Sequence, residues 1–338
     1  QSTRKTVQRW WDANLKKYAP AANEDPDQYG SELNTNRDFT LVERKKADLF
    51  YQRPDVSSVP SPLFAGQEAL LDTHTQILNE KLGLDGVHVK HVVHQALFDA
   101  LCPSGTGWTV MGYEATIVPT ETVNPMTGQP ETVDVPIYEE CFWKWLSPKA
   151  GLIPSEFRST VWDDAPWLGY EFEMPVRVAK RKGWVPDDFE GAPSDPELYF
   201  NHGLNASTIE QVARGVAIYY KSALYRDDRV HPLHQTLLVL IEGVSEPAEH
   251  KDSPYQSVDP QGRLTPDSLI GFPIHPLTLR VLTDSAYVPS NCTITRPTVN
   301  ELNTFRTQMI QFRDAAILRW MYNVDALPPE ALKKIVRS

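Results

Sequence analysis

The chain has 338 residues, 41% hydrophobic and 23% charged, enough apolar material for one elaborated domain or two. A formal net charge of -11 argues against a protein that coats nucleic acid, because such binding rests on neutralising phosphates. The charge is uneven: from Arg296 to Ser338 seven Lys and Arg face four acids, net +3, which leaves -14 on the 295 residues before them.

Residues 4–18 place Val7, Trp10, Trp11, Leu15 and Tyr18 on one helical face, and Trp10 and Trp11 are expected to anchor this helix to the body. After the acidic segment AANEDPDQYGSE, a second helix is predicted from about Asn36 to Tyr51, ended by Arg53-Pro54. A third covers about Ala65 to Leu82. A fourth runs from about Gly86 to Leu101, with Val89, Val92, Val93, Ala96, Leu97 and Ala100 buried. Past PSGTG the pattern turns to alternation: WTVMGYEATIV, a turn at NPMTG and then ETVDVPIYEECFWKWL predict a long β-hairpin. Further strands are predicted at Leu168–Met174, Val216–Tyr225 and Gln235–Glu242, with a short helix at Pro175–Lys182. Glu246 to Ser268 is rich in Pro, Asp, Ser and Gly and is predicted to be a surface loop. From Arg296 to Tyr322 one long amphipathic helix is predicted, spanning about 39 Å, with Pro297 in its first turn and Glu301 near its positive end. Its stripe of Val299, Leu302, Phe305, Met309, Phe312, Ala316 and Trp320 calls for a partner, while Arg306 and Arg313 flank it. Lys333, Lys334 and Arg337 cluster beyond the next turn.

Cys102, Cys141 and Cys292 form no CxxC pair or Cys/His cluster, so neither a disulfide framework nor a zinc site is expected, and a reducing compartment fits. No apolar run approaches the ~18 residues of a membrane span, and QSTRKTVQRWW lacks the order of a signal peptide. The first residue is not Met and the chain stops at KKIVRS just after a new element begins, so truncation at both ends is expected.

Few residues invite chemistry. His88, His91 and His94 sit at i, i+3 and i+6, but the outer two lie roughly 120° apart around a helix and no HExxH acid accompanies them, which favours surface or interface histidines over a metal site. PSGTGW has no following Lys-Ser/Thr and leads into a strand, so it reads as a turn and not as a phosphate cradle. Asp163 and Asp164 with Glu171 and Glu173 offer carboxylates, yet Tyr170, Phe172 and Met174 alternate with the glutamates as a strand with a solvated face would. The aromatic groups FWKWL and WDDAPWLGY suit core or subunit anchors better than base stacking, since the second is acidic. Sequons at Asn205 and Asn291 carry no secretory context, and no serine elbow or Cys/His dyad stands out.

The order of these segments resembles the portal protein of tailed bacteriophages. VQRWWDANLKKY followed by NTNRDFTLVERKKADLFYQRPDV is similar to the portal pattern of helices ending in an aromatic and "RP"; GTGWTVMGYE is similar to the Gly-rich entry to the wing strands. FWKWLSPKAGLIPSEFRSTVWDDAPWLGYEFEMPVRVAKRKGW resembles the following wing segment, and GFPIHPLTLRVLTDSAYVPSNCTITRPTVNELNTFRTQM resembles the passage into a stem helix. The resemblance implies an α+β wing at 1–295, with a helical front half at 1–102 and a β-rich part at 108–295. A stem helix at 296–322 and the start of a clip at 323–338 would follow, the rest of the clip, the second stem helix and the crown being absent. It further implies a virion protein, assembled in the host cytoplasm, that forms a homo-oligomeric ring of twelve at one capsid vertex. Double-stranded DNA would pass through this ring without sequence specificity. Terminase, the major capsid protein, scaffold and a head-tail adaptor would be its partners, with no membrane, cofactor, metal or catalytic site. Leu302, Phe305, Met309, Phe312 and Trp320 would then pack stems between neighbours, Arg306 and Arg313 would lie toward the channel, and Lys333, Lys334 and Arg337 would serve clip contacts. Two other classes compete: a metal-dependent hydrolase using Asp163/Asp164 and the His88/His91/His94 region, and a monomeric adaptor that docks one partner on its long helix.

Overall fold

The computed structural model describes residues 2–18, 37–50, 55–57, 68–83, 87–123, 130–193, 211–224, 231–259, 263–265, 268–269 and 271–321. Their architecture is α+β, helices joined to two antiparallel sheets. Four helices come first: α1 (Ser2–Tyr18), α2 (Arg37–Leu49), α3 (Glu68–Lys81) and α4 (Val89–Leu101). Helix α4 buries Val89, Val92, Ala96, Leu97 and Ala100, the stripe its periodicity marks. It begins three residues later than expected because His88 holds a left-handed φ of 50°, a conformation that ends a right-handed helix.

The predicted hairpin is β1 (Thr106–Val123) and β2 (Pro130–Leu146), in register from Trp108 opposite Leu146 to Val123 opposite Pro130. The register shifts once, since Thr116 faces Tyr138 and Ile117 faces Pro136, which leaves Ile137 as an extra, bulged residue. A later strand, β8 (Ile274–Thr278), pairs with residues 106–110 only, so the sheet order is β2-β1-β8. Beyond Val110 the hairpin is a two-stranded ribbon, which tolerates Pro119 and Pro136 because their missing N–H groups can face its open edges.

The second sheet runs β3 (Gly151–Leu152), β4 (Trp167–Pro175), β5 (Val212–Lys221), β6 (Gln235–Ile241) and β7 (Glu249–Asp252) in that order, with the short helix α5 (Val176–Arg181) after β4. In β5, Ala213, Gly215, Ala217 and Tyr219 point inward on strict alternation. One core unites both sheets: Trp108 and Val110 of β1 and Ile274 of β8 join Leu168, Ala217, Tyr219, Leu237, Val239 and Ile241. The region predicted as a loop at 246–268 contains β7 and buried Ser253 and Gln256, a correction to the sequence reading. Gln256 receives the Gln235 N–H at 2.8 Å and donates to Leu233 and Leu269 carbonyls at 3.0 Å, which substitutes a side-chain network for apolar packing.

Glycines 105 and 107 explain the PSGTG turn. Gly105 has φ +83°, and a Cβ there would stand 1.9 Å from the Val288 carbonyl oxygen; one at Gly107 would stand 2.0 Å from that of Ala96. The turn lets α4 backbone lie directly on β1. Among the described residues no helix is long and apolar enough to cross a membrane.

Candidate subunit interface

Helix α6 (Asn291–Met321) has 31 residues, about 46 Å of rod. It starts five residues before the predicted Arg296. Ser290 is its cap: the Ser290 Oγ accepts the Thr293 N–H at 3.2 Å and the Ser290 carbonyl accepts the Ile294 N–H. Pro297 therefore sits inside the helix and not in its first turn, and the helix forgoes the bond its N–H would have given to the Thr293 carbonyl.

The first two turns are wired into the helical layer. Asn14 of α1, 1% exposed, donates to Pro103 O at 3.0 Å, Ser290 Oγ at 3.2 Å and Thr293 Oγ1 at 2.8 Å, and accepts from Arg296. Thr295 donates to Asp38 of α2 at 3.0 Å, and Arg280 donates to the Pro289 carbonyl at 3.0 Å and to Asn291. The Asn291 sequon is thus buried and engaged; Asn205 lies outside the described residues. Beneath this network Cys292 meets Cys102, Val42 and Leu101 in a small apolar cluster edged by Tyr18 and Phe98. The hydrogen bond to Cys292, together with burial, holds the Cys102 thiol well above the usual range. Burial, with Glu43 accepting its O–H at 2.6 Å, likewise raises the Tyr18 phenol. Burial acts to raise the Glu43 carboxyl, but hydrogen bonds from Tyr18 and Lys46 outweigh it and leave it below the ordinary carboxylate value.

Farther along the rod the character reverses. From Thr304 to Arg313 every side chain except Thr307 is exposed, Phe305 at 58%, Met309 at 57% and Phe312 at 78%. Leu302 is half-buried nearer the root. Phe305, Met309, Ile310 and Phe312 form an exposed apolar patch along the rod, with Arg306, Gln308 and Arg313 beside it. The two arginines, two turns apart, border the apolar ridge on one side. The side chain of Trp320, and Lys333, Lys334 and Arg337, lie outside the described residues.

The remaining predicted residues scatter. His88 and His91 are exposed, whereas His94 rests edge-on against Phe50 at 5.4 Å, and burial lowers its pKa. Asp163 and Asp164 are exposed on a single helical turn before β4. Among the described residues no three His, Cys, Asp or Glu gather as a metal would require. Glu171 and Glu173 do not form the solvated face expected of them: Glu171 pairs with Arg4 of α1 at 2.6 Å, and Glu173, 6% exposed, pairs with Arg214 across the sheet at 3.3 Å. Trp11 is buried as predicted, but Trp10 is 55% exposed, because α1 turns that face outward. Trp162 packs on Trp108 and Phe157, and Trp145 donates to the buried Asp99 at 2.5 Å. Burial raises Asp99 well above the usual carboxyl value, the Trp145 bond offsetting part of this.

One constellation escaped the sequence reading. Ser222 Oγ lies 2.8 Å from His234 Nδ1, and His234 Nε2 lies 3.8 Å from Asp252 Oδ1, the order of residue types in a hydrolytic triad. Ser222 has no exposed surface and also bonds Thr236 Oγ1 at 2.7 Å. A nucleophile needs an approach for its electrophile, so this chain of contacts ties the ends of β5, β6 and β7 together. No spacing in the sequence signals it, since each residue stands on a separate strand end.

No protein-family model and no curated protein matches this sequence.

Proposed function

We propose that this chain is a subunit of a portal-type ring, a non-enzymatic assembly through which double-stranded DNA passes during packaging and ejection. In this reading residues 1–295 form the wing, α6 is the stem helix, and residues beyond it begin the clip that meets terminase and later a head-tail adaptor, while the wing meets the major capsid protein and scaffold. The observation that carries the proposal is the rod itself: α6 is fixed at its first two turns, then leaves Phe305, Met309 and Phe312 uncovered over the following stretch. Three large apolar side chains on one ridge gain free energy only when another surface covers them. A neighbouring copy supplies such a surface around a ring, since side-by-side contacts between different patches close by rotation. The order of sequence segments supports the same reading, and an acidic body suits a passage that must surround DNA without gripping it.

Native mass spectrometry of the intact chain, recorded with and without added divalent metal, tests this. A closed ring near twelve copies with no bound metal is expected. A monomer at every concentration, or a species that retains stoichiometric metal, would sink the proposal.

A further inference from the structure

Two further surfaces, the distal hairpin and the outer face of α1, carry opposite charge. The distal hairpin, Met111 to Val123 with Pro130 to Cys141, contains six acids and no base in sequence: Glu114, Glu121, Glu131, Asp134, Glu139 and Glu140. It also exposes large apolar side chains, the bulged Ile137 at 70% and Tyr138 at 50% among them, beside Tyr113 and Val135. Glu114 has a long pair with Lys182 at 3.9 Å, and Glu139 and Glu140 accept from Tyr113 and Tyr138, so their negative charge still faces outward. The complementary surface is α1, with five Lys and Arg against the single acid Asp12. Its outer face presents Lys5, Arg9, the small Ala13 and the unexplained Trp10.

These two surfaces cannot meet within one chain. Helix α1 is fastened at the base of the hairpin: Arg4 and Gln8 donate to the Lys149 carbonyl, and Lys149 pairs with Asp12 at 2.7 Å, three residues beyond the last residue of β2. Ile137 and Tyr138 stand eight to nine residues up a stiff strand from that base, roughly 28 Å away at about 3.3 Å per residue. Among the described residues no strand pairs with β1 on that side beyond Val110, where Met111 still donates to the Pro273 carbonyl, and β2 ends the sheet.

We infer that the distal hairpin of one copy docks by its β2 edge on the outer face of α1 of the next, Ile137 and Tyr138 packing on Trp10 while Glu139 and Glu140, from the two sides of the strand, straddle Lys5 and Arg9. The contact joins two different patches and so propagates head to tail, as a ring requires. It deepens the ring reading by naming a wing contact, and rests on that reading only for closure.

The test is a charge exchange in the full chain, read as the self-association midpoint by sedimentation velocity. Arg9→Glu alone, and Glu139→Lys with Glu140→Lys, are each expected to weaken association on the order of tenfold. All three together should restore it, and so should an equimolar mixture of the two weakened proteins, since each then meets a complementary neighbour. Additive loss in the triple variant, or a mixture no better than its components, overturns the inference. Ala13→Cys, one turn beyond Arg9 on the same exposed face, supplies a second readout that survives poor association: a short bis-maleimide should link it to the exposed native Cys141 of the next copy and produce a ladder that Cys141→Ser abolishes. No ladder refutes the contact. Phe312→Asp measured in parallel separates the two ideas: insensitivity to that change with sensitivity to charge exchange would end the stem reading and leave this contact standing, and the reverse pattern would do the opposite.

Discussion

Replacing Phe312 by Ala probes the ridge of α6 directly. A phenylalanine offers about 200 Å² for burial, so at 78% exposure roughly 150 Å² stands uncovered in the single chain. At ~25 cal/mol per Å², complete coverage by a neighbour stabilises the assembly by about 4 kcal/mol per contact, and half coverage by about 2 kcal/mol. With tenfold in affinity for each 1.4 kcal/mol, the association midpoint should rise about 30-fold at half coverage and on the order of 1000-fold at full coverage. Sedimentation velocity over a dilution series measures this shift. Because the side chain stands exposed on the rod, well past its root, urea unfolding of the dissociated protein should change by no more than ~0.5 kcal/mol. A midpoint that moves less than threefold, or a matching loss of monomer stability, would show that the ridge is not shared between copies.

Gly105→Ala should destabilise severely, by about 3 kcal/mol or more, because the new Cβ would stand 1.9 Å from a backbone oxygen at a positive φ; Gly183→Ala, also at positive φ but with open space around it, should cost only about 1–2 kcal/mol, and urea titrations of both separate strain from collision. Ser290→Ala removes the cap of α6 and an acceptor for Asn14, and should cost about 1 kcal/mol in the same assay. Asp99→Asn keeps an acceptor for Trp145 and should stabilise the protein at neutral pH. The sign follows from linkage: the folded-state pKa is raised, so the wild-type contribution is whole below the unfolded value of about 3.9 and is lost as pH rises toward the folded value. The melting-temperature difference between variant and wild type should therefore vanish near pH 3 and open as pH rises; a constant difference would contradict it.

Periodic elements were legible in the sequence because their periods report burial directly. The hairpin, β4, β6 and the buried stripe of α4 carried alternation or helical spacing that their surroundings preserve, whereas the strand expected at Val216–Tyr225 lies four residues earlier, at Val212–Lys221. Strand β7 was not legible, since EHKD is four charged or polar residues, mostly exposed, that become a strand only because β6 offers hydrogen bonds. Pro297 misled the placement of the start of α6: proline favours first turns, but Ser290 with its bond to Thr293 set the true cap. The Phe305, Met309 and Phe312 ridge was readable from spacing, whereas its root was not. Asn14, Asp38, Cys102, Cys292 and Arg296 come from four separate helices or their ends, and no local pattern brings them together. The outward turn of Trp10 was missed for a related reason, as two adjacent tryptophans occupy directions about 100° apart on a helix and only one can enter the core.

The wiring of Asn14 has a geometric consequence. One buried amide touches the end of α4, the cap of α6 and Arg296 within it, so it sets the bearing on which the rod departs. A rod of about 46 Å amplifies any error at its hinge, and a tilt of only ~5° carries the far end about 4 Å sideways, close to the width of a side chain. In the proposed ring such a deflection would widen or choke the aperture, so its calibre would rest on a few polar atoms at the foot of each rod.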